Sequence, residues 1–252
     1  MTDTVGRLRA AGCVFAEDEA ALLVEAARTA AELTTMVDRR VAGLPLEQVL
    51  GWAEFCGLRI VVEPGVFVPR HRTGFLVEQA AALARPGAVV VDLCCGTGAV
   101  GAAVHAAVDG IELHASDVDP VAVRCARRNV TGQVHLSDLF ADLPKALRGR
   151  VDVLVVNAPY VPTAAIVLMP PEARDHEPAV ALDGGADGLD VQRRVISSAP
   201  DWLAPRGALL IETGADQAPR TAAACAAAGL MPRTVSSDEL GATVVVGSST
   251  SG

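Results

Sequence analysis

The chain has 252 residues, a formal net charge of −9 and 51% apolar residues. Those numbers allow a sizeable buried core and exclude a disordered chain. The acidity argues against tight sequence-independent binding to nucleic acid, which rests on many Lys and Arg contacts to phosphate, and no nucleic-acid partner is expected. Lys145 is the only lysine. Arg, Asp, Gly and Pro interrupt every apolar run before it reaches bilayer length, so no membrane partner is expected. The first residues show no basic segment followed by an apolar stretch, and a cytoplasmic location is expected. The six cysteines lack C-x-x-C spacing and clustered histidines. They read as small buried residues in a reducing compartment, with no metal site.

Residues 1 to about 50 read as helices. Glu17 to Leu33 carries Ala20, Leu22, Leu23, Ala26, Ala27 and Ala30 at helical spacing. A second helix runs through Met36, Val37 and Val41 and stops near Gly43 and Pro45. Residues 52–68 are β-prone, and Pro64-Gly65 between them suggests a hairpin turn. From residue 73 helices and strands alternate. A helix is expected over Gly74–Leu83, then strands at Ala88–Leu93, Ile111–Ser116, Val134–Ser137, Val151–Val156 and Ala208–Glu212. Helices fit near Val100–Val108, Pro120–Asn129, Leu189–Ser198 and Gln217–Ala228. Val161 to Asp187 shows no clear periodicity and reads as an active-site lid. Met231–Ser236 and Ala242–Gly247 suggest a terminal antiparallel hairpin. The alternation implies a doubly wound parallel sheet. The expected domains are a helical segment 1–51, a hairpin linker 52–72 and an α/β domain 73–252.

Val89 to Gly98 is a buried strand running into a glycine-rich turn, Cys94-Cys95-Gly96-Thr97-Gly98. Glycines let the backbone approach a ligand, and the helix that follows offers free N–H groups. Asp117, at the end of the next strand, is placed to accept both hydroxyls of a ribose. Asp138, before Leu139, is placed to accept an adenine amino group, with Leu139 against the ring; an ordinary helix cap is the alternative. Gly96 to Gly101 also spells G-x-G-x-x-G, so a dinucleotide enzyme such as an NAD-dependent oxidoreductase competes with an S-adenosylmethionine enzyme. Asp92 favours the second cofactor, which has an ammonium and a sulfonium and no pyrophosphate.

The fourth strand ends in Asn157-Ala158-Pro159-Tyr160, where open α/β sheets place their chemistry. An amide nitrogen is a poor nucleophile. The Asn157 side-chain oxygen and a carbonyl at Ala158 or Pro159 could accept its two N–H groups and turn it toward a methyl donor. Pro159 stiffens the turn, and Tyr160, the one tyrosine, can stack on the flat group.

Asn157 to Tyr160 resembles the N-P-P-Y signature of amino-group methyltransferases. These include adenine-specific DNA methyltransferases and the HemK-like protein-(glutamine-N5) methyltransferases of release factors. Pro45 to Gly51, Glu54 to Leu58 and Val66 to Arg70 resemble the second group, as do Glu177-Pro178 and Gly184 to Asp190, and then Glu212, Gly214 and Gln217. The resemblance implies a Rossmann-like class I methyltransferase fold with a small N-terminal helical recognition domain. It implies S-adenosylmethionine contacts at Cys94 to Gly98, Asp117, Leu139 and Asn157, and a glutamine held by Asn157, Ala158, Pro159 and Tyr160, with Arg70 nearby. A release factor or similar protein is the expected partner of a monomer. An N-methyltransferase of a small-molecule amide or aromatic nitrogen is the alternative. The chain departs from the family at Ala158, usually proline, and at Pro69 to Gly74, where P-R-P-E-T-E becomes P-R-H-R-T-G.

Overall fold

The computed structural model describes residues 2–250. Residues 1, 251 and 252, at the outer ends of the expected domains, lie outside them. Four helices open the chain: α1 (Thr2–Ala10), α2 (Ala16–Ala26), α3 (Ala30–Val41) and α4 (Leu46–Leu50). They enclose an apolar cluster of their own, with Leu8, Leu23, Met36 and Val37 at its centre. The single helix expected over Glu17–Leu33 is two helices. Thr29 caps α3 by accepting the Glu32 amide at 3.1 Å, while the Glu32 carboxylate accepts the Arg28 amide at 2.9 Å. The Thr29 cap, with Glu32 holding the amide of the residue before it, offers the backbone a better ending than continued helix, and it overrides the apolar periodicity.

Arg40 on α3 is buried and binds both carboxylate oxygens of Glu19 on α2, at 2.6 and 3.1 Å. Its Nη1 also reaches Glu172, at 2.6 Å. Removing one member of such a buried pair typically costs about 3–5 kcal/mol, because the other charge is left without compensation.

The hairpin is β1 (Trp52–Phe55) and β2 (Leu58–Val61), and its turn is Cys56-Gly57 rather than Pro64-Gly65. Both turn residues have positive φ, 51° and 77°, as a two-residue hairpin loop requires. Glu54 steadies it by accepting the Gly57 amide at 2.7 Å.

Beyond a 3-10 turn, His71–Thr73, and α5 (Gly74–Leu83) come β3 (Val89–Leu93), α6 (Ala99–Ala107), β4 (Glu112–Asp117), α7 (Pro120–Ala126), β5 (Gln133–Leu136) and β6 (Val151–Val156). Then follow α8 (Pro171–His176), α9 (Ala179–Leu182), α10 (Asp190–Ser198), β7 (Leu203–Glu212), α11 (Ala218–Ala227), β8 (Leu230–Ser237) and β9 (Ala242–Ser249). The sheet order is β5-β4-β3-β6-β7-β9-β8. The first five strands are parallel, and β9 enters antiparallel between β7 and β8. This is the expected Rossmann-like class I methyltransferase fold. The central strands are apolar on both sides because each face has its own cluster, one around Val90, Val153 and Leu210, the other around Val91, Leu154 and Ile211. The order reverses direction between β3 and β6, so their carboxyl ends form the switch-point crevice. Among the described residues no helix is long and apolar enough to cross a membrane.

The stretch from Val161 to Asp187 is better ordered than its sequence suggests. It holds a 3-10 helix, Thr163–Leu168, then α8 and α9. Prolines at 162, 170, 171 and 178 start these short pieces, which mask any long period. Val161 and Asp183 form a parallel bridge that closes the stretch into a strap. Its Glu177 carboxylate is fully buried and accepts from the Val68 amide at 3.1 Å and from Arg70 at 2.6 Å.

Candidate active site

One cavity of about 370 Å3 opens at the carboxyl ends of β3, β4, β5 and β6. Its floor is the turn after β3. Cys94 and Gly96 take positive φ there, 56° and 55°, and the Cys95 amide donates to Ser116 at 3.0 Å. A Cβ on Gly96 would project into open space, so the missing side chain leaves the loop bare toward the cavity. Asp117 receives the Gly96 amide at 2.9 Å on one oxygen and the Asp119 amide at 2.9 Å on the other. Burial raises its pKa, and those amides oppose the rise.

Asp92 lies deeper, 2% exposed, and accepts the Gly101 amide at 2.8 Å. Burial pushes its pKa up to about 7, and the charge of Asp117 adds to the rise. The third glycine of G-x-G-x-x-G is thereby explained. A Cβ on Gly101 would stand 3.1 Å from that carboxylate and 3.3 Å from Leu113. It serves helix-to-sheet packing, not a pyrophosphate.

Of the residues expected to touch the cofactor, Asp92, Cys94, Cys95, Gly96, Thr97, Asp117, Asp138, Leu139 and Asn157 all line the cavity. Gly98 does not. It is buried with φ 77°, and a Cβ would meet Val130 at 2.5 Å and Ala126 at 3.2 Å. Its task is to bring α6 against α7. Asp138 reaches the cavity but is exposed and paired with Arg194 at 2.7 Å. The cysteines are all free. Cys56 is exposed and Cys94 half-buried, against the expectation of six buried ones.

Asn157, Ala158, Pro159 and Tyr160 form the opposite wall. Asn157 Nδ2 donates to the Thr73 hydroxyl at 3.4 Å. Its Oδ1 has no hydrogen-bond partner among the described residues. Tyr160 is held at its backbone by Gln217, whose Nε2 donates to the Tyr160 carbonyl at 2.9 Å. Gly188 packs so closely there that a Cβ would lie 2.3 Å from that carbonyl oxygen. Arg70 lines the cavity, but its charge is committed to Glu177, and its guanidinium covers Phe67 at 4.7 Å. Thr73 and Arg194 were not picked out as site residues. Thr73 sits in the altered Pro69 to Gly74 stretch, which was the available signal.

A model of the Methyltransferase small domain family matches residues 57–169. A release factor glutamine methyltransferase of Gloeobacter violaceus is 38% identical over 75% of this chain and 68% of its own length. One of Deinococcus radiodurans is 33% identical, over 91% of this chain and 90% of its own. The chain belongs to the release factor glutamine methyltransferase family. A third member, from Geobacter sulfurreducens, is 41% identical over 73% of this chain, and the match spans 65% of that protein, just under two thirds. Family membership accounts for the legibility of both the glycine turn and the Asn157 segment. Two solved structures share the fold. One is a methyltransferase from Pyrococcus furiosus, with TM-score 0.58, 16% identity, and coverage of 76% of this chain and 89% of that one. The other is a T. thermophilus 16S rRNA methyltransferase in complex with AdoMet and guanosine, with TM-score 0.57, 19% identity, and coverage of 79% and 49%.

Proposed function

We propose that this chain transfers a methyl group from S-adenosylmethionine to the side-chain amide nitrogen of a glutamine in a peptide-chain release factor. The observation that carries this reading is that Asn157, its Oδ1 without a partner among the described residues, lines the same cavity as the bare glycine turn and the acids Asp92 and Asp117.

The cavity fits that cofactor by charge. Asp92 and Asp117 lie beside the turn, and Lys145 is not among the lining residues. A pyrophosphate on this turn would meet one buried and one half-buried acid, which disfavours a nicotinamide dinucleotide; an ammonium and a sulfonium would be welcomed. Asp117 would hold the ribose hydroxyls, the Gly96 turn the amino-acid portion, and Leu139 the base. When bound, the cofactor supplies an electrophilic methyl group.

The chain's own residues orient the acceptor. Asn157 Oδ1 takes one N–H of the glutamine amide, and a carbonyl at Ala158 or Pro159 takes the other. Both acceptors concentrate charge on nitrogen as the new bond forms. The Tyr160 ring lies against the amide plane. No side chain needs to remove a proton first, because the nitrogen becomes acidic once alkylated and then loses its proton. The helices of residues 1–51 serve as a recognition domain for the protein substrate, and their separate apolar cluster supports that division. Residues 52–72 link them to the catalytic domain, 73–252, in a cytoplasmic enzyme.

Two measurements test this. Incubation with labelled cofactor and purified release factor should place one methyl group on a glutamine, read by mass spectrometry. Absence of that product alongside efficient methylation of a small molecule overturns the acceptor assignment. In calorimetry, Asp117→Ala should weaken S-adenosylmethionine binding by about 1–3 kcal/mol, through lost charge-assisted hydrogen bonds. Unchanged affinity in the folded variant removes Asp117 from the site.

A further inference from the structure

Arg72 stands where the family pattern has an acid, and its surroundings give it a specific task. Its Nη2 donates to the Tyr160 hydroxyl, and its guanidinium carbon lies over the tyrosine ring, 5.9 Å from the centroid. Its Nε stands 3.4 Å from Glu212 Oε1. The Tyr160 hydroxyl in turn donates to that same oxygen at 3.5 Å. The phenol therefore uses both its acceptor and its donor capacity within one triangle.

Glu212 comes from the end of β7 and is 3% exposed, with Oε2 buried and unpartnered. A carboxylate so placed is costly unless donors surround it, and it has few of them. Glu212 does not line the cavity, whereas Arg72 and Tyr160 do. The acid thus reaches the cavity through the side chains beside it, Arg72, Tyr160 and the Thr73 hydroxyl, which helps to hold its pKa down. The triangle ties the 3-10 turn, the Asn157 segment and β7 together at one point.

We propose that Arg72 and Glu212 are positioning residues that clamp the Tyr160 ring at the angle an acceptor amide must lie against. The assignment rests on the amide-methylation reading, but the clamp itself is testable without it. Its removal leaves the ring free to rotate, and misplacement by about an ångström can cost up to a hundred-fold in rate.

The experiment compares Arg72→Gln, Tyr160→Phe and the double variant with release factor as acceptor. Arg72→Gln should lower kcat roughly ten- to a hundred-fold, with cofactor Kd unchanged, and Arg72→Lys should recover part of the loss. Because Arg72 acts through the hydroxyl, the double variant should be no slower than Tyr160→Phe alone. Losses that multiply in the double variant overturn the clamp.

A second readout needs no activity. Tyr160 is the only tyrosine, so phenolate absorbance reports it without interference. Burial and the Glu212 charge raise its pKa, while Arg72 lowers it. Arg72→Gln should move the titration to higher pH and Glu212→Gln to lower pH. If neither variant shifts it, the clamp is absent whatever the acceptor proves to be. A shift without methylation of release factor leaves the clamp standing and removes only the acceptor.

Discussion

Asn157→Ala should cut turnover roughly a hundred- to a thousand-fold while changing cofactor affinity far less. In the proposed reaction the side chain supplies one oriented acceptor, whose value would appear only as charge develops on the attacked nitrogen. The Asn157 Nδ2 donates to the Thr73 hydroxyl at 3.4 Å, which leaves Oδ1 for the acceptor in the proposed reaction. Thr73→Val should therefore produce a smaller loss of the same kind, in kcat and not in cofactor binding. The check is kcat and KM for the acceptor beside a calorimetric Kd for S-adenosylmethionine. Equal loss in turnover and in cofactor affinity would place Asn157 in cofactor binding and not in acceptor orientation.

Asp92→Asn should stabilise the ligand-free protein at pH 8 and weaken binding of a cationic ligand. Burial holds the carboxyl pKa near 7, against about 3.9 in an unfolded chain. The folded state thus binds the proton more tightly. Stability from this group is complete below about pH 4 and is lost as pH rises through about 7. Three pKa units correspond to about 4 kcal/mol, an order of magnitude that the Gly101 amide already moderates. Asparagine has no proton to lose, so its variant should show a flatter stability profile between pH 4 and pH 8. Denaturant unfolding at several pH values reads this directly. Parallel profiles for the two proteins would mean that Asp92 titrates normally.

The centre of the sheet was legible because its two middle strands, Val89–Leu93 and Val151–Val156, are near-continuous apolar runs. The two breaks in expectation near the N-terminus have local causes. Thr29 and Glu32 end a helix that periodicity alone would continue, and the hairpin turn at Cys56-Gly57 was masked by the more familiar Pro64-Gly65. In the cavity, positions whose backbone does the work were readable from the glycine pattern. Which glycine faces the cavity was not, because Gly96, Gly98 and Gly101 are alike in sequence and differ only in their neighbours. Arg70 was expected beside the substrate, and Arg72 stood out only as a departure from the family pattern. Only tertiary contacts send one to Glu177 on the strap and the other to Tyr160 and Glu212.

The buried Arg40 has a bearing on how this chain can be recombined with its relatives. Its guanidinium answers to Glu19 on one helix and to Glu172 on the strap, more than a hundred residues away. A chimera that exchanges residues 1–51 alone inherits a foreign partner for Glu172, and if that partner is apolar the strap loses its tether to the helices. Exchanging the helices together with the strap keeps the charge matched. Viable hybrids should therefore cross over at two joints, and single-crossover hybrids should be enriched only when the donor also carries a cation at the place of Arg40.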